Sequence, residues 1–280
     1  MNLETLYANN ALTLTALRNG SAQSSAHPYF GYFTADIFDC PPFIMFTNND
    51  CPGSTSILYH RQFEMGSLRL WCALAKSASS VIDIGANVGI YSLTVAALRS
   101  DIPIHAFEPN PHAFARLRLN KSVNNFLNIN ERQDALGHID NQPISLTWRA
   151  KPGHPISSGS AVGKKGATGP IETSIAVLGR LDSLSLGPIG DRCLIKIDVE
   201  GAETFVFQGM SATLNARPDI ILESFDQRSC DAITETTRAF GYRYFMIDEK
   251  TNELTERSAL SPCARTDSSF NQFLSVRPPP

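Results

Sequence analysis

The run VIDIGANVGIYSL, residues Val81 to Leu93, constrains this chain more than any other stretch. VIDI reads as a short apolar strand; a glycine-bearing turn follows, and then the first turns of a helix. Such a turn offers unpaired N–H groups at the helix start and usually holds a nucleotide-like ligand. A dinucleotide fingerprint would need G-x-G-x-x-G, whose middle glycine lets a pyrophosphate approach the backbone. Counted from Gly85, that middle position is Asn87, whose side chain crowds a diphosphate. No G-K-[ST] follows, so the turn is not a P-loop either. What remains is D-x-G-x-N-x-G: Asp83, Gly85, Asn87 and Gly89.

Asp83 closes the strand beside the helix start. An acid there suits a ligand that presents an ammonium group, while the helix N–H groups suit a carboxylate. An amino acid carries both. Glu108 ends the next predicted strand, IHAF (Ile104 to Phe107), where an acid can accept from two ribose hydroxyls. S-adenosylmethionine fits a site with an amino-acid end and a nucleoside end. Ordinary βα-turn glycines with two solvated acids are the competing reading, and the acids on consecutive strands weigh against it.

From about Leu58 onward helical and strand patterns alternate, which predicts a mostly parallel sheet covered on both faces. Met65, Leu68, Cys72 and Ala75 form one helical stripe. Asn110 is placed to cap the helix after IHAF, with Pro111 at its first position. CLIKIDV (Cys193 to Val199) reads as a buried strand. It leads into a helix whose apolar face is Ala202, Phe205, Val206, Gly209 and Met210. DIILES (Asp219 to Ser224) is another strand, and a helix near Ile233 to Phe240 stops at Gly241. YRYFMI and QFLSV are expected as an antiparallel pair at one sheet edge. Residues 1–57 read as an irregular N-terminal extension with strands in YFGYFTADIF and FIMFT, packing on or capping a catalytic domain of residues 58–280. Residues 150–170, rich in Gly, Ser and Pro, are a flexible loop or a lid over a site.

An apolar content of 42% supports a real core, and 24 basic against 27 acidic residues show no basic footprint for nucleic acid. The six cysteines lie far apart without metal-ligand spacing, as in a reducing compartment. No long apolar run or basic leader is present, so a cytoplasmic protein without a membrane span is expected.

In this order, VIDIGANVGIYSL, AFEPNP, DALG, LDSL and IKIDVEGAE…FQGM resemble the FkbM-type family of S-adenosylmethionine-dependent methyltransferases, over roughly Phe63 to Val276. The resemblance implies an α/β class I methyltransferase fold: a Rossmann-like three-layer sandwich around a seven-stranded, mostly parallel sheet with one antiparallel strand. It also implies that Asp83, Gly85, Ala86, Asn87 and Gly89 wrap the methionine moiety, and that Glu108 and Pro109 meet the ribose. Asp134 and Ala135 of DALG would meet the adenine. Glu64 matches an acid that precedes the motifs in the family; on its own it reads as a helix-start charge.

Methyl transfer from a sulfonium is an in-line displacement, so alignment supplies much of the rate, and a hydroxyl nucleophile must also lose a proton. Asp198, at the carboxyl end of its strand, is the first candidate base or hydroxyl anchor, and it also borders the cofactor. Lys196 shares its strand face and reads as an ion-pair partner for a nearby acid rather than a base. Glu200 follows on the turn, and Glu203 reads as a helix N-terminal charge. Glu223 is either a carboxylate satisfied at the sheet end or a catalytic group. Asp198, Glu200 and Glu223 would also suit a divalent cation, although no metal is predicted. His27, His60, His105, His112, His138 and His154 have no catalytic partner in the sequence pattern, and no G-x-S-x-G elbow is present. The expected reaction is O-methylation of a small molecule or glycan. N-methylation on the same cofactor site, an NAD-dependent dehydrogenase and a non-catalytic binding protein are the rivals.

Overall fold

A computed structural model describes residues 3–23, 27–37, 40–149, 161–162, 171–187, 192–263 and 271–280. Helix α1 (Leu3–Arg18) is followed by the strands β1 (Gly31–Ala35) and β2 (Phe43–Thr47), which pair antiparallel. Then come α2 (Pro52–His60), α3 (Met65–Ala75), β3 (Ser80–Ile84), α4 (Ile90–Leu98), β4 (Ile104–Phe107) and α5 (Pro111–Val123). The middle of the chain holds β5 (Ile129–Arg132), β6 (Asp134–Leu136), β7 (Gln142–Arg149), β8 (Ala161–Val162) and β9 (Ile171–Gly179). It continues through β10 (Cys193–Ile197), α6 (Glu203–Gln208), α7 (Ser211–Leu214), β11 (Asp219–Leu222) and α8 (Gln227–Arg238). The last strands are β12 (Arg243–Ile247), β13 (Leu254–Arg257) and β14 (Gln272–Ser275).

The main sheet runs β13-β12-β14-β11-β10-β3-β4-β5. The strands β5, β4, β3, β10 and β11 are mutually parallel, and β14 enters antiparallel between β11 and β12. Those seven strands give the expected sheet with one reversed strand. An eighth, β13, pairs antiparallel with the outer side of β12, so the β12–β14 pair does not form the edge. LTER carries two charges and one threonine in four residues, which hid the strand from an apolar-pattern reading.

Alternation along the central strands divides the core between two faces. Val81, Ile104, Leu194 and Ile221 pack with Leu68, Trp71, Leu93 and Val95 of α3 and α4. Ile82, Ile84, Ile195, Ile197 and Ile220 pack with Val206, Phe207, Met210, Leu214 and Ile233 on the other side. All five residues of β3 and all five of β10 are buried, as a parallel sheet covered on both faces requires. The α6 segment departs from the predicted face. Phe207 is buried at 1% exposure, whereas Phe205 remains 47% exposed. The helix ends at Gln208 because Gly209 lies against the backbone of DALG. A Cβ on Gly209 would fall 1.8 Å from the carbonyl oxygen of Gly137. Asp182 of LDSL then accepts from the amides of Ala212 and Thr213 and starts α7.

Two elements lie outside the alternating pattern. The extension includes the helix α1, which the sequence did not announce: its apolar residues are spread around the axis, leaving Tyr7 and Leu12 exposed. Asn10 exchanges two hydrogen bonds with the backbone of Phe30, and Thr13 Oγ1 donates to the Pro28 carbonyl. The strand β2 is held to α5 by Asn120 and Asn124, which accept from the amides of Phe46 and Ile44, and by the Arg116–Asp50 ion pair at 3.1 Å. The helix α2 runs across residue 57. A second sheet, β6-β9-β7-β8, was also unannounced. Apart from Ala161–Val162, the 150–170 segment lies outside the described residues. All six cysteines are buried thiols outside any disulfide, and no described helix is long and apolar enough to cross a membrane.

Candidate active site

A cavity of about 950 Å³ opens at the carboxyl ends of β3, β4, β10 and β11. Ligands of open α/β sheets bind at this end because the strand order reverses there and the loops diverge. At one end of the cavity the chain leaves β3 through Gly85, Asn87 and Gly89, all at positive φ. A Cβ on Gly85 would lie 1.8 Å from the carbonyl oxygen of Asp198, so the turn rests directly on the chain leaving β10. The amides of Gly85 and Ala86 both donate to the Phe107 carbonyl at 2.9 Å, tying the turn to β4.

Glu108 continues from β4 and locks the same turn. Its Oε2 accepts from the Asn87 amide at 2.8 Å and its Oε1 from the Asn110 amide at 2.7 Å. Burial nevertheless pushes this carboxyl up to about 7, because the two amides offset only part of the desolvation. Each oxygen keeps lone-pair capacity for a ligand hydroxyl. The side-chain Oδ1 of Asn87 is buried without a hydrogen-bond partner. A buried acceptor that lacks a donor fits a ligand bringing N–H or O–H groups into the turn. Asp83 is less free than its place in the motif suggests. Its Oδ2 accepts from both the amide and the hydroxyl of Ser92, at 3.1 and 2.6 Å, and so anchors α4. Burial raises the Asp83 carboxyl to about 6.

The other end of the cavity is a cluster of acids around one ammonium. Lys196 and Asp83 are register partners on adjacent strands, so both side chains stand on the same sheet face. Lys196 is 1% exposed, and its Nζ lies 3.6 Å from Asp198 Oδ2 and 5.1 Å from the centre of the Tyr91 ring, with no hydrogen-bond partner. Burial alone would lower its pKa, but Asp198, Glu64, Glu223 and Asp83 together raise it, so it stays an ammonium ion. Glu223 follows β11, where its amide bonds to Ile197, and sits beside Asp198. Burial first, and then the Asp198 charge, push its carboxyl far above the usual range. Glu64, at φ +40° before α3, accepts from the Tyr91 hydroxyl at 2.5 Å and from Asn271 Nδ2 at 2.9 Å. Burial raises this carboxyl as well, against the pull of Lys196.

Of the remaining expected residues, Glu200 lines the cavity at φ +55°. Glu203 is turned inward, with Oε1 accepting from the Gly201 amide at 2.7 Å. Asp134 and Ala135 line the cavity, and Asp134 is paired with Arg132 at 2.7 Å. Among the described residues no group of three or more His, Cys, Asp or Glu side chains is arranged to hold a metal ion. The positive charge in the acid cluster belongs to Lys196.

Several lining residues had no signal in the sequence. Glu249 follows β12 and binds Ser67 through the amide and hydroxyl of that residue. Tyr91 is fixed by Trp71, whose Nε1 donates to the Tyr91 carbonyl at 3.1 Å. His138 stacks on Phe205, ring centres 4.8 Å apart, at the cavity wall. Phe205 was read as part of the apolar face of α6, and Tyr91 and His138 lie in or beside sequence motifs whose spacing gave them no role. Glu249 comes from a segment too distant to link by pattern. Gln142, Ile144, Leu146 and Leu178 of the second sheet, with Cys51, Pro52, Gly53 and Ser56 of the extension, complete the walls.

A seven-strand core with one reversed strand, a glycine turn after the first parallel strand and an acid closing the second are the features of the class I methyltransferase fold. The family model described as the Methyltransferase FkbM domain matches residues 83–244, more than half of the sequence, and the chain belongs to that family. No curated protein matches. Among solved structures, a precorrin-6y C5,15-methyltransferase from Geobacter metallireducens is similar at 15% identity, covering 76% of this chain and 88% of that one, with a TM-score of 0.41. A Pyrococcus abyssi tRNA (uracil-54, C5)-methyltransferase in complex with S-adenosyl-L-homocysteine is 9% identical over 88% of this chain and 44% of its own, with a TM-score of 0.44. The N-terminal domain of human METTL16 in complex with SAH is 16% identical, over 99% and 85%, with a TM-score of 0.41.

Proposed function

We propose that this methyltransferase uses S-adenosylmethionine and methylates a hydroxyl group of a small molecule or glycan. The observation that carries the reading is the junction of the two cavity ends. The turn built on Gly85 touches the backbone of Asp198, whose carboxylate is 3.6 Å from the Lys196 ammonium. A cofactor-shaped turn and a charged acid are thereby fixed relative to each other.

Asn87 and Glu108 supply the acceptors for the cofactor's amino and ribose hydroxyl groups, while Ala86, Pro109, Asp134 and Ala135 form the surrounding wall. When bound, the cofactor supplies a methyl group on a positively charged sulfur. Asp198, 3.6 Å from the Lys196 ammonium, takes the hydroxyl proton of the acceptor. Burial and the Asp198 charge push the Glu223 carboxyl far above the usual range, so the neighbouring pair can take up a proton. Lys196 remains charged and serves as a counter-ion, and Glu200 borders the acceptor's path. Residues 1–57 cap the acceptor side, a reading supported by Cys51, Pro52, Gly53 and Ser56 in the cavity wall.

The test is transfer of a labelled methyl group to matched alcohols and amines, with cofactor affinity measured by calorimetry. Alcohols are expected to be labelled, and Asp198→Asn should lose turnover while keeping cofactor affinity. Labelling of amines alone would replace O-methylation by N-methylation on the same site.

A further inference from the structure

The acid cluster holds more carboxyl groups than one base requires. Lys196 is surrounded by Glu64 before α3, Asp83 on β3, Tyr91 on α4, Asp198 after β10, Glu223 after β11 and Glu249 after β12. Glu200 and Glu203 lie beside Asp198 on the turn into α6. Lys196 makes no hydrogen bond in this setting, so its contribution is its charge alone. One ammonium cannot neutralise five carboxyl groups, of which Asp83, Glu223 and Glu249 are buried, and the balance must be made up by protons or by a cationic ligand.

Resting on the reading above, we propose that this cluster keeps the proton taken from the acceptor and that the retained proton replaces the positive charge lost from sulfur during transfer. The acceptor oxygen forms its bond to the methyl carbon, the electron pair of the broken carbon–sulfur bond stays on sulfur, and the hydroxyl proton goes to Asp198 and its neighbour Glu223. The charge of the buried site is then the same before and after transfer. The site consequently binds S-adenosylhomocysteine, an uncharged thioether, with more protons than it binds the sulfonium donor. The Asp83, Glu64, Glu223 and Glu249 carboxyl groups are all raised, chiefly by burial, so this cluster takes up protons more readily than ordinary carboxylates.

The experiment is calorimetric titration of the full chain with S-adenosylmethionine and with S-adenosylhomocysteine, without any acceptor, in buffers of different ionisation heat. The sulfonium charge lowers the donor's amino pKa, so the amino group of each free ligand is titrated separately and its contribution subtracted. S-adenosylhomocysteine is expected to bind with up to about one more proton, and its affinity relative to the donor should fall by up to about tenfold per pH unit between roughly pH 6 and 8. Glu223→Gln should shrink the difference, and an infrared band of a protonated carboxyl should be stronger in the thioether complex of the unaltered chain. Equal proton counts for the two ligands, or a difference unaffected by Glu223→Gln, would overturn the proposal. Failure of both ligands to bind would instead overturn the cofactor reading on which it rests.

Discussion

The two ends of the cavity are built by opposite strategies. At the turn after β3, backbone contacts do the positioning: Gly85 against the Asp198 carbonyl, and the Asn87 and Asn110 amides on Glu108. At the acid cluster, side chains from α3, α4, β3, β10, β11 and β12 converge on Lys196. A backbone site tolerates almost no change at its glycines, whereas a side-chain site can lose one member and keep its shape. Substitutions should therefore separate the two ends by the kind of damage they cause.

Gly85→Ala should have the largest effect. A Cβ 1.8 Å from a carbonyl oxygen, at φ +84°, forces the turn off β10. The expected outcome is a loss of about 3 kcal/mol or more in chemical denaturation, with cofactor binding abolished. Asp198→Asn should leave folding nearly unchanged and lower turnover by about 10²- to 10⁴-fold, the range for a removed general base. Rates within a factor of two of the parent chain would take the base role away from Asp198. These two variants break opposite ends of the comparison, one through structure and one through chemistry.

Glu108 gives a prediction with a definite sign. Its folded pKa, up at about 7, lies above the ordinary carboxylate value, so between those pH values the folded chain holds a proton that the unfolded chain lacks. Ligand-free stability should fall as the pH rises through that window, with Glu108 contributing up to about 3 kcal/mol. Glu108→Gln should flatten this part of a urea-midpoint profile while weakening cofactor affinity; an unchanged slope would assign it to another group. Asn110→Ala removes the acceptor for His112 and Ala113 at the start of α5 and should cost about 1 kcal/mol in the same assay. The smallest effect is expected of Phe205→Ala. Its ring is 47% exposed on the cavity wall, so melting should barely change while ligand affinity falls by a few-fold.

The same contrast explains what the sequence disclosed. Gly85, Asn87, Gly89 and Glu108 lie within a short run whose spacing follows from strand, turn and helix geometry, so the turn could be read directly. Asn110 and Pro111 revealed the start of α5 for the same reason. The acid cluster needs sheet register: Lys196 stands beside Asp83 only because β10 pairs with β3, a fact that no local pattern contains. Glu249 depends on still more distant packing, and Tyr91 lies within the turn run itself, where spacing alone gave it no role. The helix α1 lacked a clear amphipathic period, and β13 lacked apolar residues, so neither element had a periodic signature. Phe205 misled in the opposite way, since a helical stripe cannot tell a core position from a cavity wall.

The contact between Gly85 and the Asp198 carbonyl also limits how such an enzyme can be retargeted. Any shift of the strand end that carries Asp198 would press on the glycine turn, so in the proposed mechanism proton chemistry and cofactor grip change together. Libraries aimed at new acceptors should vary Ser56 of the α2 wall and leave the strand ends untouched.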